Sequence, residues 1–263
     1  MTQNDKRKEE VKVNSCGILL RGYAKSRSEV KDVADRLNLS AKRASEIGFR
    51  NIAILISEEK DCGSTLIATC MKLDGLGLKA PRMRVASIEG NDKDILNDGL
   101  RYLWSSFCEY AFIASNKAVG YLNTPNIEKI LATFSDGALC SGLALRNTSV
   151  PQEEDQIYNG VLAGRISNIL AAWDIKALEA VGGFDSEIGS EEIAPIIRLI
   201  KKYSKCIAPV IPTEDVGLNV SSLRAEHFAS LSSTKTGRQF REASRAKGSF
   251  QLIEDGIILG YPE

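Results

Sequence analysis

Two hydrophobic rhythms alternate along this chain. Residues 16–23 form a short apolar run with glycines near each end, the pattern of a buried strand. Over 28–48, Val30, Val33, Ala34, Leu37, Ala41, Ala44 and Ile47 recur at helical spacing and close on Gly48, a helix stop. Residues 51–56 are again a continuous apolar run. Strand, helix and strand of these lengths make a βαβ unit, whose crossover is right-handed in nearly every case. The alternation continues. A helix is predicted over 65–78, with Ile67 and Met71 inward, then a strand over 83–88, set off by Pro81. Residues 94–107 follow as a helix with a stripe of Ile95, Leu96, Leu100, Leu103, Trp104 and Phe107. Residues 109–117 read as a strand. Residues 124–135 read as a helix opened by Pro125, with Ile127, Ile130, Leu131 and Phe134 on one face. The small residues of 138–145 predict a strand in which Gly142 admits a close backbone neighbour. After a polar loop at 146–158, residues 160–174 lead into a last pair of helical stripes. Ile175, Leu178 and Val181 form one; Ile196, Ile197, Leu199, Ile200 and Tyr203 form the other. A short strand is expected within 203–212 and a polar helical region over 224–247.

Composition narrows the classes. The 34 basic residues equal the 34 acidic ones, so no net field favours nucleic acid or an anionic membrane. No apolar window reaches the roughly 18–20 residues of a membrane span. Residues 1–12 are mostly charged and lack the apolar core of a secretory signal. The cysteines Cys16, Cys62, Cys70, Cys108, Cys140 and Cys206 are scattered, mostly within apolar segments, and none forms a Cys-x-x-Cys pair. That pattern points to reduced thiols in a cytoplasmic protein, rather than to a zinc site or a disulfide framework.

The most informative stretch lies between the last two stripes. Val181-Gly182-Gly183-Phe184-Asp185 is followed by Glu191-Glu192, then Arg198-Leu199, Lys205-Cys206-Ile207 and the prolines Pro209 and Pro212. Paired glycines allow positive φ and close approach, and acids collected between helices are costly unless solvated or employed. In order and spacing this stretch resembles the acceptor-side motif of family-two glycosyltransferases, enzymes of the GT-A fold. The same residues also read as a plain helix C-cap with a buried aromatic plug and a solvated acidic rim.

The resemblance extends over about residues 18–212 and implies roles. Ligands of open α/β sheets bind at the carboxyl ends of the strands. Tyr23, in Arg21-Gly22-Tyr23-Ala24, falls on the family's base-contacting aromatic, with Ala24 in place of the usual Asn. Glu58 or Glu59 occupies the place of the acid that binds a pyrimidine base; the loop they open, through Gly63-Ser64-Thr65, is equally a good turn and helix N-cap. At the end of the fourth strand metal-dependent members keep Asp-x-Asp for a divalent cation, manganese or magnesium. This chain has Ser115-Asn116-Lys117 instead. Asn116 is a weak oxygen ligand, and Lys117 offers a diphosphate a point charge. His227, the only histidine, sits where some members place a further metal ligand. Trp173 and Asp185 fall at acceptor positions. Glu191 or Glu192 would serve as the general base toward the acceptor hydroxyl, with Glu192 aligned to the family's Asp. The helix after the acids is expected to begin near Pro195, which would leave the pair at its N-terminus, where carboxylates are favoured in any case.

The expected architecture is therefore α/β: a GT-A-like, mainly parallel sheet flanked by helices. It spans residues 15–223, after a flexible tail at 1–14, and carries a helical extension packed on it at 224–263. The expected activity is transfer of a sugar from a nucleotide-diphosphate sugar to a small-molecule or glycan acceptor. A catalytically inactive GT-A-like binding or assembly module is the alternative, favoured by the missing Asp-x-Asp. A nucleotidyltransferase is a third, but Arg21-Gly22 alone falls short of the Gly-rich, Arg-containing loop such enzymes carry after the first strand.

Overall fold

The computed structural model describes residues 11–24, 26–58, 82–89, 92–135, 137–144, 166–184, 193–203, 208–210, 251–254 and 257–260. Its strands are β1 (Cys16–Tyr23), β2 (Asn51–Glu58), β3 (Arg82–Glu89), β4 (Tyr110–Ser115), β5 (Cys140–Ala144), β6 (Ile166–Asp174), β7 (Ala208–Val210), β8 (Gln251–Glu254) and β9 (Ile257–Gly260). Its helices are α1 (Val30–Ile47), α2 (Asp92–Ser105), α3 (Thr124–Ser135), α4 (Ile175–Glu179) and α5 (Ile193–Tyr203). The strands join one sheet in the order β3-β2-β1-β4-β6-β5-β7-β8-β9. β3, β2, β1 and β4 run parallel, as do β5, β7 and β8; β6 is antiparallel to both of its neighbours, and β9 to β8.

Strand alternation explains the layers. Ile18, Leu20, Ile52, Ile54, Ile56, Phe112, Ala114, Leu170 and Ala172 face one core, filled from α1 by Val33, Leu37 and Ala41 and from α3 by Ile127, Ile130 and Phe134. Leu19, Ala53, Leu55, Ala111, Ile113, Ala171 and Trp173 face the other, filled by Leu96, Leu100 and Leu103 of α2, Leu178 of α4, and Ile196 and Leu199 of α5. Because both faces are covered, the inner strands read as unbroken apolar runs rather than as alternating ones.

Three elements differ from expectation. β6 was not foreseen as a strand; it lies between β4 and β5 and divides the sheet's two parallel parts. The described part of the C-terminal extension, expected to be helical, is the antiparallel pair β8 and β9. Gln251, Leu252, Ile253 and Ile257, Ile258, Leu259 give it two short apolar segments around Asp255-Gly256, a hairpin signal outweighed by the helical pattern preceding it. Finally, α5 starts two residues earlier than Pro195. The helix predicted over 65–78 lies outside the described residues. Among the described residues no helix is long and apolar enough to cross a membrane. Among the described residues, Cys16, Cys108 and Cys140 are buried and in no disulfide.

Candidate functional site at the carboxyl edge of the sheet

Register fixes which loops meet. Tyr23 at the end of β1 pairs with Ser57, one residue before the end of β2. Arg21 pairs with Leu55 on one side and with Ser115, the last residue of β4, on the other. The chain segments leaving β1, β2 and β4 therefore start from one edge of the sheet. Tyr23 is 39% exposed there. The backbone of Glu58 closes β2, opposite Glu89 of β3.

The turn after β4 is held on three sides. The Asn116 N–H donates to the Arg21 carbonyl at 2.8 Å, extending the β1–β4 ladder by one rung. The Lys117 N–H donates to Ser115 Oγ at 3.2 Å, a side-chain turn of the kind serine favours. From α1, the Arg43 guanidinium donates to the Val119 carbonyl in the single 3-10 turn that follows. This places Lys117 exposed at the edge. The donor set at this turn is a hydroxyl, a carboxamide and an ammonium. Divalent manganese or magnesium takes hard, preferably charged oxygens, and an ammonium repels it, so these three residues do not fit a metal. Among the described residues no group of three or more His, Cys, Asp or Glu is placed to hold one.

The acceptor-side stretch is built from the opposite edge upward. β6 ends beside the start of β4, with Asp174 paired to Tyr110 and Trp173 to Ala111. Asp174 then caps α4, accepting the Ala177 N–H at 2.8 Å, while the Ile175 N–H reaches the Glu109 carbonyl at 3.0 Å. α4 closes on two glycines in the left-handed region, Gly182 at φ 89° and Gly183 at φ 72°. Gly183 is required twice over, since a Cβ there would come within 2.5 Å of Asn97 Oδ1. Asn97 of α2 holds the next residue at both ends: the Phe184 N–H donates to Oδ1 at 2.9 Å, and Nδ2 donates to the Phe184 carbonyl at 3.1 Å. α5 supplies two further clamps. Arg198 Nη2 donates to the Gly183 carbonyl at 2.6 Å, and Lys202 Nζ to the Ala180 carbonyl at 2.7 Å.

Those clamps give the direction of travel. From Lys202 to Arg198 is one turn of α5, and over it the held chain runs from Ala180 to Gly183 and on to Phe184. Phe184 is held by Asn97, eight residues before the end of α2, the helix that leads into the start of β4, so the chain runs away from the amino edge. Ile193, the first residue of α5, lies about 7.5 Å further the same way. The amino-terminal end of α5 is thus directed toward the edge where Tyr23 and Lys117 stand. In sequence, Glu191 and Glu192 immediately precede it.

Trp173 is a correction. Its side chain is 0% exposed, and its ring meets Phe184 edge-on at 5.2 Å. Register also places it opposite Ala111, four residues and about 13 Å from Ser115 along β4. It is core at the amino edge. The local structure of Gly182-Gly183-Phe184 is the helix cap with a buried aromatic plug. Glu59, Asp185, Glu191, Glu192 and His227 lie outside the described residues. Two residues of this neighbourhood had no role assigned from the sequence. Asn97 sits 87 positions from the residue it holds and gives no local signal. Arg21 does give one, a charge inside an apolar strand, on the same side of β1 as Leu19 and Tyr23.

No protein-family model matches this sequence, and no curated protein matches it. Among solved structures, the chain is similar to a mannosyltransferase from Pyrobaculum calidifontis in complex with GDP-Man and Mn2+, with a TM-score of 0.55 and 13% identity over 89% of this chain and 69% of that one. Two looser likenesses are glucosyl-3-phosphoglycerate synthase of M. tuberculosis (TM-score 0.48, 9% identity, 95% of this chain and 88% of that one) and a cytidylyltransferase from Leptospira borgpetersenii serovar Hardjo-bovis (TM-score 0.45, 13% identity, 70% and 71%). The first carries the assignment: the chain has a GT-A-like fold, a mixed central sheet flanked by helices.

Proposed function

We propose that this protein is a glycosyltransferase-like enzyme that binds a nucleotide-diphosphate sugar at the carboxyl edge and transfers the sugar to a small-molecule or glycan acceptor. The observation that supports this most is the register that starts the segments after β1, β2 and β4 from one edge of a GT-A-like sheet, with Tyr23 and Lys117 both accessible there. In this reading Tyr23 stacks on the base, and Glu58 or Glu59 accepts a hydrogen bond from it. Ser115-Asn116-Lys117 meets the diphosphate, Lys117 as a point charge.

On the acceptor side, Asp185 follows directly on the clamped Gly183-Phe184 pair and contacts the acceptor. Glu191 or Glu192, just ahead of α5, takes the proton of the acceptor hydroxyl. A general base placed toward the acceptor hydroxyl removes orientational freedom before the reaction begins. His227 would serve only as a further ligand to a divalent cation, which this reading does not use. A second reading, an inactive GT-A-like binding or assembly module, is favoured by one observation: the turn after β4 carries no carboxylate.

A thermal-shift screen against UDP, GDP, CDP and dTDP and their sugars, each with and without manganese, tests the proposal. Ligand that binds only the folded state raises its apparent stability by mass action. The expected outcome is a rise with one nucleotide class. Well-folded protein that shifts with none of them would overturn the transferase reading and leave the module.

A further inference from the structure

We infer that Arg21 and Lys117 together form the diphosphate-binding cation pair of this site, so that nucleotide binding here needs no divalent metal; the inference rests on the nucleotide-sugar reading above. Arg21 and Ser115 are register partners on adjacent parallel strands, which puts their backbones about 4.8 Å apart. The hydrogen bond from the Asn116 N–H to the Arg21 carbonyl ties the turn that presents Lys117 to the residue that carries the guanidinium. Arg43 fixes the far side of the same turn through Val119.

Strand alternation decides the side. A Cβ on Gly22 would point into Leu37 and Val33 of α1, so Arg21 and Tyr23, its neighbours on either side, belong to the opposite face, the one covered by α2, α4 and α5. That face also holds the clamped Gly183-Phe184 turn. Base-stacking ring and guanidinium are then two residues apart on one side of β1.

Charge makes the substitution coherent. A guanidinium and an ammonium carry the same +2 as a divalent ion, and they need no carboxylates to hold them. Two neighbouring cations also repel an incoming metal. Arg supplies a planar, bidentate contact to phosphate oxygens and Lys a mobile point charge. With five N–H donors, a guanidinium that keeps a protein partner still has donors for a phosphate.

Titration calorimetry on the full chain separates the terms. The ligands are the nucleoside and the nucleoside diphosphate of the class found by the screen, each in EDTA and in manganese. The proteins are wild type, Arg21→Gln, Arg21→Lys and Lys117→Gln. Diphosphate affinity of the wild type is expected to be equal in EDTA and manganese and to fall with added salt. Each Gln variant should lose about tenfold in diphosphate affinity, the scale of one charge-assisted contact, with nucleoside affinity unchanged, and Arg21→Lys should recover part of the loss. Lys117 is exposed, so its variant decides the matter if Arg21→Gln folds poorly. Diphosphate binding that disappears in EDTA, or Gln variants that bind diphosphate like the wild type, overturn the inference while the transferase reading stands. A wild type that binds neither ligand in either condition overturns both.

Discussion

Phe107 occupies a position that belongs to glycine. α2 ends in a paired cap: the Phe107 N–H donates to the Trp104 carbonyl at 3.0 Å and the Cys108 N–H to the Leu103 carbonyl at 3.1 Å. This geometry requires the first of the two donor residues to be left-handed, and Phe107 adopts that conformation at φ 61° while 92% exposed. The left-handed conformation costs an ordinary side chain roughly 1–2 kcal/mol, and glycine returns part of that in backbone entropy. Phe107→Gly should therefore raise the unfolding free energy by about 0.5–1 kcal/mol, read as a higher urea midpoint at unchanged slope. An unchanged or lower midpoint would show that the ring contributes packing that its exposure conceals. In the hydrophobic pattern Phe107 read as the last member of the α2 stripe. Spacing could not show that the helix stops at Ser105 and turns the ring outward. Gly183 was legible for the opposite reason, since its paired glycines signal the left-handed turn in one dimension, whereas its obstacle, Asn97, does not.

At the level of elements, β5 and β6 show how close approach is written into a sequence. A Cβ on Gly142 would stand 2.7 Å from the Leu170 carbonyl oxygen and 2.8 Å from Ala171 Cα, backbone atoms that cannot swing aside. Beside it, the Ser141 hydroxyl is fully buried with no hydrogen-bond partner among the described residues. The two neighbours should respond oppositely in chemical denaturation. Gly142→Ala is expected to cost about 1–3 kcal/mol, the range for overfilled cores, whereas Ser141→Ala should be neutral or stabilising, because it removes an unpaired buried group. Equal effects of the two substitutions would mean that β6 moves to accept the methyl. The glycine announced a close neighbour; the neighbour itself was missed. Residues 166–174 set Ser167 and Asn168 among apolar positions and run directly into the helical stripe at Ile175, so nothing in the pattern marks a separate strand.

For the whole molecule, burial of acidic side chains sets an alkaline limit. Burial pushes the Cys16 thiol up from 9.0 to about 12, partly offset by its contact with Ser15. Burial also raises Cys108 and Tyr110, and the charges of Asp174 and Glu109 add to the effect on Tyr110. In each case the unfolded chain gives up its proton first as pH rises. The stabilising contribution of Cys16 is therefore complete below about pH 9 and is lost between there and about pH 12. Thermal unfolding measured across that range should show a falling midpoint, with a shallower fall in Cys16→Ala. An equally steep fall in the variant would assign the loss to the tyrosines and Cys108. The same burial leaves Cys16 unreactive toward thiol reagents in the native state.

Sequence by itself determined the βαβ order, both faces of the inner strands, the capped turn at Gly182-Gly183 and the positions of Tyr23 and Ser115-Asn116-Lys117 at strand ends. All of these follow from local periodicity and from residues with narrow backbone preferences. Tertiary structure decided what depends on pairing between distant segments. Inserting β6 between β4 and β5 carried Trp173 to the amino edge and into the core, away from the place its order along the chain implied. Register between β1 and β4 brought Arg21 beside Ser115, and the packing of α2 and α5 onto α4 supplied Asn97 and Arg198 as clamps. A hydrogen bond across 87 residues or a strand inserted out of order leaves no periodic trace in the chain, because its partner is chosen by the sheet and not by the neighbouring residues.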